Sequence, residues 1–301
     1  MTEAAIKPAR RRIRRTKGDV VFDVILYTIT GLMILVTLYP MYFVLIASIS
    51  NPTDVSAGNI TFYPIDITFK GYQKLFDYPQ LWTGYGNTIL YALFGTVFSL
   101  IANIPAAYAL SRRDLVGRRF FTVFILIPMF FTGGLIPTFM VVNSLKLTNT
   151  IWALILPGAV PLGNVILLMN AFRGVPKSLE EAAMIDGGSQ WVILLKVFLP
   201  VVKPTLAAVT LFTIVGHWND YFSALVYITD TANYPLQTYI QQLNVDITEV
   251  TDPDKLEQLA RISSRTLNSA KIVVSIIPLL MIYPFMQKYF VSGIVVGSVK
   301  E

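Results

Sequence analysis

The sequence contains no cysteine and a single histidine, His217, among its 301 residues. A disulfide framework and thiolate chemistry are therefore excluded, and one imidazole cannot build a multi-histidine metal site. No Gly-Lys dipeptide occurs, so the chain lacks the glycine-rich loop whose lysine holds nucleotide phosphates. No nucleophile and base converge on the histidine in the sequence pattern. The sequence predicts a protein that is not an enzyme and uses no cofactor or resident metal ion.

Charged residues are also scarce. They make up 14% of the chain, against about 25% in soluble domains, whereas 54% of the residues are hydrophobic and the mean hydropathy is +0.59. This composition predicts an all-α integral membrane protein in contact with a lipid bilayer. The net charge of +6 does not indicate nucleic-acid binding, because the cations cluster beside the apolar runs.

Long apolar runs predict six transmembrane helices, because a span needs about 20 apolar residues; all are uncharged except the fifth, which contains Asp220. The runs lie at residues 24–53, 78–111, 120–145, 151–172, 204–229 and 272–287. The first is too long for the core of a cleavable signal peptide, and it is expected to pack at the periphery. The last is the shortest, so Lys271 and Lys288 are expected to extend towards its two edges.

The distribution of cations predicts the orientation in the membrane. Six spans place both termini on one side, where the tail and loops hold 17 Lys and Arg, against 7 on the other side. Cation-rich short segments remain cytoplasmic. The termini and the loop at 173–203 are therefore expected inside. The acidic segment at 230–270, with an exposed helix over 252–265, is expected outside.

The loop at 173–203 is the most informative polar stretch. Its order of residues predicts a helix with Ser178 near the start, a glycine elbow at Gly187-Gly188, and a second helix from Gln190 to Lys196 that Ser189 caps. A plain turn needs only a handful of residues. Small side chains such as the alanines of the first helix let another surface approach closely, so a docking role is favoured over a simple turn.

The spacing from Glu181-Ala182-Ala183 through Asp186-Gly187 to Leu199-Pro200 resembles the cytoplasmic loop of bacterial ABC importer permeases. Further segments are similar to the sugar-importer branch related to the maltose permeases, in a subgroup for complex oligosaccharides. These segments are Gly133-Gly134-Leu135-Ile136-Pro137, Asn149-Thr150-Ile151-Trp152-Ala153-Leu154 and Gln287-Lys288-Tyr289-Phe290-Val291. The resemblance covers roughly residues 87–300 and implies an ABC importer type I permease fold.

The resemblance also implies a division of the chain. A basic cytoplasmic tail (1–19), a first transmembrane helix (20–50) and an extracellular segment (51–82) would precede a five-helix core domain (83–292). The core would contain the coupling loop at 173–203 and the extracellular segment at 230–270. A short cytoplasmic tail (293–301) would follow.

By the same resemblance, the chain is expected to be a membrane subunit of an ATP-driven importer of oligosaccharides in the bacterial cell membrane. The implied partners are a homologous second permease subunit, an ABC ATPase dimer and an extracellular sugar-binding protein or lipoprotein. The expected ATPase-coupling residues are Glu181, Ala182, Ala183, Asp186, Gly187, Leu199 and Pro200. The alternatives are a permease for another solute and an ion-coupled carrier, which would need intramembrane ion-coupling groups and usually an internal repeat.

A polar cluster interrupts the fifth run. Trp218, Asn219, Asp220 and Tyr221 are candidates for the translocation path and substrate contacts, because aromatic rings can stack on sugars and polar side chains can bind hydroxyl groups. The same residues could instead tie neighbouring helices together or mark the membrane interface. His217 alone is more typical of a packing residue.

Glycines and prolines inside the third and fourth runs predict weak points in those helices. They are Gly133, Gly134, Pro137, Pro157 and Pro161. Static kinks and close-packing points are favoured over bending that serves alternating access. The outer segments at 51–82 and 230–270 could dock a sugar-binding protein or could simply cap the membrane subunits.

Overall fold

The computed structural model describes residues 16–243 and 264–297, and within these ranges it contains helices and no β-strand. The helices are α1 (Lys17–Ser48), α2 (Pro52–Ala57), α3 (Lys70–Phe76), α4 (Pro79–Ser111), α5 (Arg118–Phe130), α6 (Leu135–Ser144), α7 (Ile151–Ile155), α8 (Leu162–Arg173), α9 (Lys177–Ile185), α10 (Gln190–Ile193), α11 (Leu199–Val201), α12 (Lys203–Asn219), α13 (Phe222–Tyr227), α14 (Leu236–Gln242) and α15 (Ser264–Gly297). A π-helical turn (Leu194–Phe198) and a 3₁₀ turn (Thr231–Asn233) complete the described elements. Most of the predicted basic tail, nearly all of the helix predicted over 252–265 and the last four residues lie outside the described residues.

The predicted spans are helical, but not all are continuous. Three helices in the described ranges are long and apolar enough to cross a bilayer: α1, α4 and the Arg265–Pro284 part of α15. Two further candidates are bent pairs, α5 with α6 at 115° and Gln190–Val201 with α12 at 87°. Helix α8 is a shorter apolar helix. The all-α membrane fold predicted from the sequence is confirmed.

The third and fourth runs contain breaks, where the sequence predicted kinked but continuous helices. Residues 131–134 separate α5 from α6, and residues 156–161 separate α7 from α8. Gly134 has φ = +82°, a conformation that glycine adopts without steric cost. Pro157 and Pro161 lie in the second break, and proline cannot donate a helical hydrogen bond. An uninterrupted apolar run therefore does not show where its helix ends.

Helix α4 is the centre of the packing. It contacts α8 and α12 along its length and α14 near its N-terminus. At that end, the Leu236 backbone N–H donates to Thr88 Oγ1 at 2.7 Å, and Asn87 Nδ2 donates to the Ala232 carbonyl at 2.8 Å. At the other end, Tyr108 belongs to a buried cluster with rings from α8 and the π-helical turn. One continuous helix thus joins the two ends of the core.

Helix α1 packs at the periphery, as the sequence predicted. Its only buried residues are the last three, Ile46 to Ser48, and its main neighbour is α15. Tyr42 OH donates to the Phe62 carbonyl, which fixes the outer segment against the helix end. The remaining apolar side chains face outwards, where the bilayer would cover them.

The expectation for Lys271 was wrong. The side chain is buried, with only 6% of its surface exposed, and Nζ donates to the Leu243 carbonyl just after α14. A helix C-terminus presents unpaired carbonyl groups with partial negative charge, so it can satisfy a lysine that does not reach water. The side chain of Lys288 lies outside the described residues.

Candidate coupling surface and membrane cavity

The polar loop folds as two short helices joined by a tight elbow. Helix α9 ends at Ile185, Gly187 has φ = +77°, and Ser189 Oγ accepts a hydrogen bond from the Val192 N–H at 3.4 Å. The predicted elbow and the predicted Ser189 cap are confirmed. Ser178 does not cap α9, because the helix begins at Lys177 and its N-cap residue is Pro176.

The second helix of the loop changes type. It is α-helical only to Ile193, and a π-helical turn follows, in which the Leu199 N–H bonds to the Leu194 carbonyl. The predicted α-helix to Lys196 was therefore wrong in its second half. Pro200 has no N–H to offer the carbonyl of Lys196, so regular α-helical bonding cannot continue there.

One side of this loop is open to contact. Glu181, Ala182, Asp186, Gly187 and Pro200 are exposed, whereas Ala183 and Leu199 are half-buried. The neighbouring side chains of Ile185 and Trp191 are 85% and 62% exposed. Large apolar side chains on an otherwise polar loop are typical of a surface that another protein covers.

The elbow is held closely from within. A Cβ atom on Gly188 would lie 2.7 Å from the Ala183 carbonyl oxygen, so only glycine fits without moving the backbone. In contrast, a Cβ atom on Gly187 would meet nothing within 4 Å. The first glycine is therefore required by its φ angle, and the second by the close approach of α9.

The inner side of the loop contacts α4 through residues that the sequence analysis missed. Arg112, just past α4, forms an ion pair with Glu180 of α9, and Tyr108 OH donates to Gln190 Oε1 at 2.8 Å. Only 14% and 17% of the Arg112 and Glu180 side-chain surfaces are exposed. The paired residues lie far apart in the sequence, and no local spacing signals the contacts.

A cavity of about 480 Å³ lies beside this contact. Arg113, Arg118 and Arg173 line it together with residues of α9. At its edge, a hydrogen bond from its own backbone N–H and one from Arg112 hold the pKa of the Asp114 carboxyl below its ordinary value. Several of the cations predicted to lie on the cytoplasmic side therefore cluster beside the loop at 173–203.

A second cavity, of about 540 Å³, lies between the break at 156–161 and the end of α12. Its polar lining consists of Asn164, Thr213, His217, Asn219, Asp220 and Ser223. The apolar lining includes Phe212 and residues of the break. Polar groups around a space of this size within apolar helices suit a ligand with hydroxyl groups.

The predicted path residues do not all meet in this cavity. Asn219 and Asp220 line it, whereas Trp218 points into the core, where Nε1 donates to the Ser275 carbonyl at 3.0 Å. Tyr221 is exposed, and its carbonyl accepts a hydrogen bond from Thr238. Trp218 therefore ties α12 to α15, which is the structural role that the sequence left open for it.

The cluster also lies at a helix end and not inside a span. Helix α12 stops at Asn219, and Asp220 Oδ1 accepts the Ser223 N–H at 3.0 Å, in the first turn of α13, whose N-cap residue is Tyr221. Asp220 therefore has a local structural partner in addition to facing the cavity. The sequence placed this acid within the fifth run, whereas the structure places it in the bend between α12 and α13.

His217 packs against α4 at a point of close helix contact. A Cβ atom on Gly95 would lie 2.4 Å from His217 Nε2. Thr213 lies one turn before His217 in α12. Its Oγ1 accepts a hydrogen bond from Asn164 Nδ2 at 3.1 Å, which joins α8 to α12. Within the described part of the chain, no group of three or more histidine and carboxylate residues could hold a metal ion.

The outer segment at 51–82 is folded, with α2 and α3 packed on the ends of the longer helices. Leu75 is fully buried, and Asn51 N–H donates to the Ile65 carbonyl at 2.9 Å. Aromatic side chains remain open on its surface, among them Tyr63, which is 78% exposed. This segment therefore caps the helix ends and still offers aromatic contact groups. Most of the other outer segment lies outside the described residues.

The chain is similar in sequence to a known transport family and to two bacterial proteins. Residues 95–296 match the model of the family described as "Binding-protein-dependent transport system inner membrane component". The chain is 36% identical to Protein LplC of Bacillus subtilis (strain 168) over 290 residues, which cover 96% of this chain and 98% of the relative. It is 35% identical to the polygalacturonan/rhamnogalacturonan transport system permease protein YtcP of the same strain, with 93% and 98% coverage.

A solved structure shares the fold. It is a bacterial ABC transporter involved in the import of the acidic polysaccharide alginate, one chain of which is 36% identical to this chain. The superposition has a TM-score of 0.83 and covers 92% of this chain and 99% of the other.

Proposed function

The chain belongs to the family of binding-protein-dependent transport system inner membrane components, and from this premise we propose that it is a permease subunit of an ATP-driven importer of oligosaccharides. As a member of this family it is a multi-pass membrane transport subunit and not itself an enzyme. It works with a second permease subunit, an ABC ATPase and a substrate-binding protein. Ion-coupled carriers are a different class of transporter, so that alternative is set aside.

The observation that carries the proposal is the exposed helix–elbow–helix surface of the polar loop. Glu181, Ala182, Asp186, Gly187 and Pro200 lie open beside the exposed Ile185 and Trp191, and Ala183 and Leu199 support them from below. We assign this surface to ATPase coupling. Small residues let the ATPase approach closely, and the large apolar side chains supply contact area. Closure of the ATPase dimer would then move the loop and bias the membrane helices between two states.

A matched pair of glycine substitutions tests the coupling surface. Gly187→Asp introduces a charge at the elbow, whereas Gly58→Asp introduces the same charge at a glycine with nearly the same φ (+76°) and equally open space in the outer segment. We expect the ATPase to co-purify with the wild type and with Gly58→Asp. We expect Gly187→Asp to lose it or to lose sugar-stimulated ATP hydrolysis by about tenfold.

The control excludes a general effect of the new charge. Equal ATPase recovery and equal stimulation in both variants would remove the loop from the coupling surface. A complex in which no ATPase associates with the wild-type chain would contradict the proposed function as a whole.

The substrate proposal rests on the cavity and on the relatives. We assign Asn219 and Asp220 to the translocation path, because both line the polar cavity. Tyr221 lies beside them on an exposed face and extends the candidate surface, whereas Trp218 supports it from the core. The names of similar proteins refer to polygalacturonan, rhamnogalacturonan and alginate. Uptake of oligogalacturonates, alginate oligosaccharides and neutral arabino-oligosaccharides by cells that carry or lack this gene would identify the class.

We place the termini and the coupling loop in the cytoplasm. The cation distribution of 17 against 7 supports this orientation, as does the concentration of arginines in the cavity beside the loop. The segment at 51–82 and the described part of 230–270 would then face outwards in a bacterial cell membrane. There they would receive the sugar-binding protein, with exposed aromatic groups such as Tyr63 as contacts. Deletions within 240–260 that leave binding-protein association unchanged would contradict a docking role for that part.

A further inference from the structure

The underside of the coupling loop is attached to α4 at two points on one helix face. Tyr108 and Arg112 are four residues apart, so their side chains leave the same side of the helix end. Arg112 Nη1 donates to Glu180 Oε1 of α9, and Tyr108 OH donates to Gln190 Oε1 of α10 at 2.8 Å. Each of the two helices of the loop therefore has its own polar contact with the same turn of α4.

The ion pair is held in place from several sides. The Arg112 guanidinium lies 5.7 Å from the centre of the Tyr108 ring, and its Nε donates to Asp114 Oδ1 at 3.2 Å. Tyr108 itself is buried against the rings of Phe172 and Phe198. A charge pair with so little exposure is fixed in geometry, unlike a solvated surface pair. Loss of Arg112 would leave the Glu180 carboxylate without this partner, whereas loss of Glu180 would leave Arg112 paired with Asp114 alone.

The two adjacent glutamates of α9 face different surroundings. Glu180 is directed inwards to Arg112, whereas Glu181 is exposed beside the open face of the loop. One carboxylate is thus used for internal attachment and its neighbour remains available to a partner. Successive residues on a helix differ in direction by about 100°, which permits this division.

We propose that Arg112 and Glu180, supported by Tyr108 and Gln190, form a latch that transmits movement of the coupling loop to α4. This inference rests on the proposed function, since it presumes that an ATPase moves the loop. Arg112 is a positioning residue in this scheme, because it acts through α9 and contacts neither substrate nor nucleotide.

The packing of α4 suits it to carry movement from the coupling loop to the cavity. The helix is continuous from Pro79 to Ser111 and contacts α8 and α12, two of the helices that line the membrane cavity. Its far end is bonded to the outer segment through Thr88 and Asn87. A displacement at Arg112 would therefore reach the cavity through packed helices and not through a flexible linker.

The test uses the assembled complex of this chain, its partner permease and its ATPases. The chain has no cysteine, so Ser223→Cys, in the cavity lining, provides one thiol whose labelling by a membrane-impermeant maleimide is measured on this chain alone. With ATP and orthovanadate we expect the labelling rate to change about fivefold or more when the latch is intact. Arg112→Gln and Glu180→Gln should abolish that change while the ATPases still co-purify and hydrolyse ATP.

Two comparisons make the outcome specific. Arg113→Gln removes a neighbouring arginine that forms no ion pair with any described residue, and it should keep the full response. The charge exchange Arg112→Glu with Glu180→Arg should restore at least half of the response that the single variants lose. All variants are compared at equal amounts of assembled complex, so reduced expression lowers the yield and not the labelling ratio.

Two results would overturn the latch and leave the proposed function intact. One is a response in Arg112→Gln and Glu180→Gln equal to that of Arg113→Gln. The other is loss of the ATPases from Glu180→Gln, which would place Glu180 on the docking surface itself. Failure of the proposed function looks different, because then no version of the complex, including the one with an intact latch, would retain an ATPase.

Discussion

At the scale of single residues, the contacts of a side chain show which of two possible roles it has. Trp218 and Asp220 are two positions apart, yet the first donates to a backbone carbonyl in the core and the second faces a polar cavity. A buried indole N–H needs a partner, and the Ser275 carbonyl supplies it. Asp220 keeps one carboxylate oxygen bonded to the Ser223 N–H and remains close to the open space. Substitutions of the two residues are therefore expected to have different effects.

Asp220→Asn separates the charge of this residue from its hydrogen bond to α13. The amide oxygen of asparagine can accept the same bond from the Ser223 N–H, so assembly and the start of α13 should be unchanged. A hydrogen bond to a charged group exceeds a neutral one by about 1 kcal/mol, so the concentration for half-maximal uptake should rise about fivefold. Uptake measured over a range of oligosaccharide concentrations checks this. Unchanged uptake with intact assembly would remove Asp220 from the path.

At the scale of the elements, the decisive contact is the close approach of α4 and α12. Gly95 leaves room for His217, and the side chain of the histidine fills the space that a larger residue would occupy. The two helices can thus pack with a polar ring between them, next to the cavity that Asn219 and Asp220 line. Small residues at helix contacts have this effect in membrane proteins generally.

Gly95→Ala and Gly86→Ala provide a matched test of this contact within one helix. A Cβ atom on Gly95 would overlap His217, so we expect a loss of about 1–3 kcal/mol in the free energy of unfolding. A Cβ atom on Gly86 meets nothing within 4 Å, and alanine favours the helix by up to about 1 kcal/mol. Thermal unfolding of the detergent-solubilised chain should therefore rank Gly86→Ala at or above the wild type and Gly95→Ala below it. Equal Tm values for the two variants would contradict the close contact.

At the scale of the whole molecule, two candidate functional regions lie at opposite parts of one packed core. The proposed coupling surface lies beside the C-terminal end of α4, and residues just before and within α14 are bonded to the N-terminal half of α4. The membrane cavity lies between these regions, against α8 and α12. If the proposed coupling surface is moved by an ATPase, the packing of α4 against α8 and α12 offers a route by which the movement would reach the cavity.

The orientation of the whole molecule can be tested because the natural chain lacks cysteine. Ser178→Cys places a thiol on the coupling loop, and Thr231→Cys places one in the outer segment; both positions are exposed. In intact cells an impermeant maleimide should label Thr231→Cys and not Ser178→Cys, and permeabilised cells should show both labelled. The reverse pattern in intact cells would show that the positive-inside argument fails for this chain.

The amino-acid sequence by itself determined the class of protein and the position of the helix–elbow–helix loop to which we assign ATPase coupling. Both follow from features that are local along the chain: uninterrupted apolar runs, cations at their ends, and the spacing from Glu181 to Pro200 with glycine at the elbow. The start of α10 and the φ angle of Gly187 obey the same local rules, which is why the elbow and the Ser189 cap were predicted correctly.

Tertiary structure alone decided which residues share a site. The burial of Trp218 and Lys271 and the pairing of Arg112 with Glu180 depend on partners distant in the sequence. Glycines and prolines marked the segments 131–134 and 156–161 as weak points, but the sequence did not distinguish a kinked helix from a broken one. A charged residue likewise shows no partner until the fold brings an opposite charge beside it. The physical reason is that burial and pairing are properties of packed neighbours, and the chain order does not specify them.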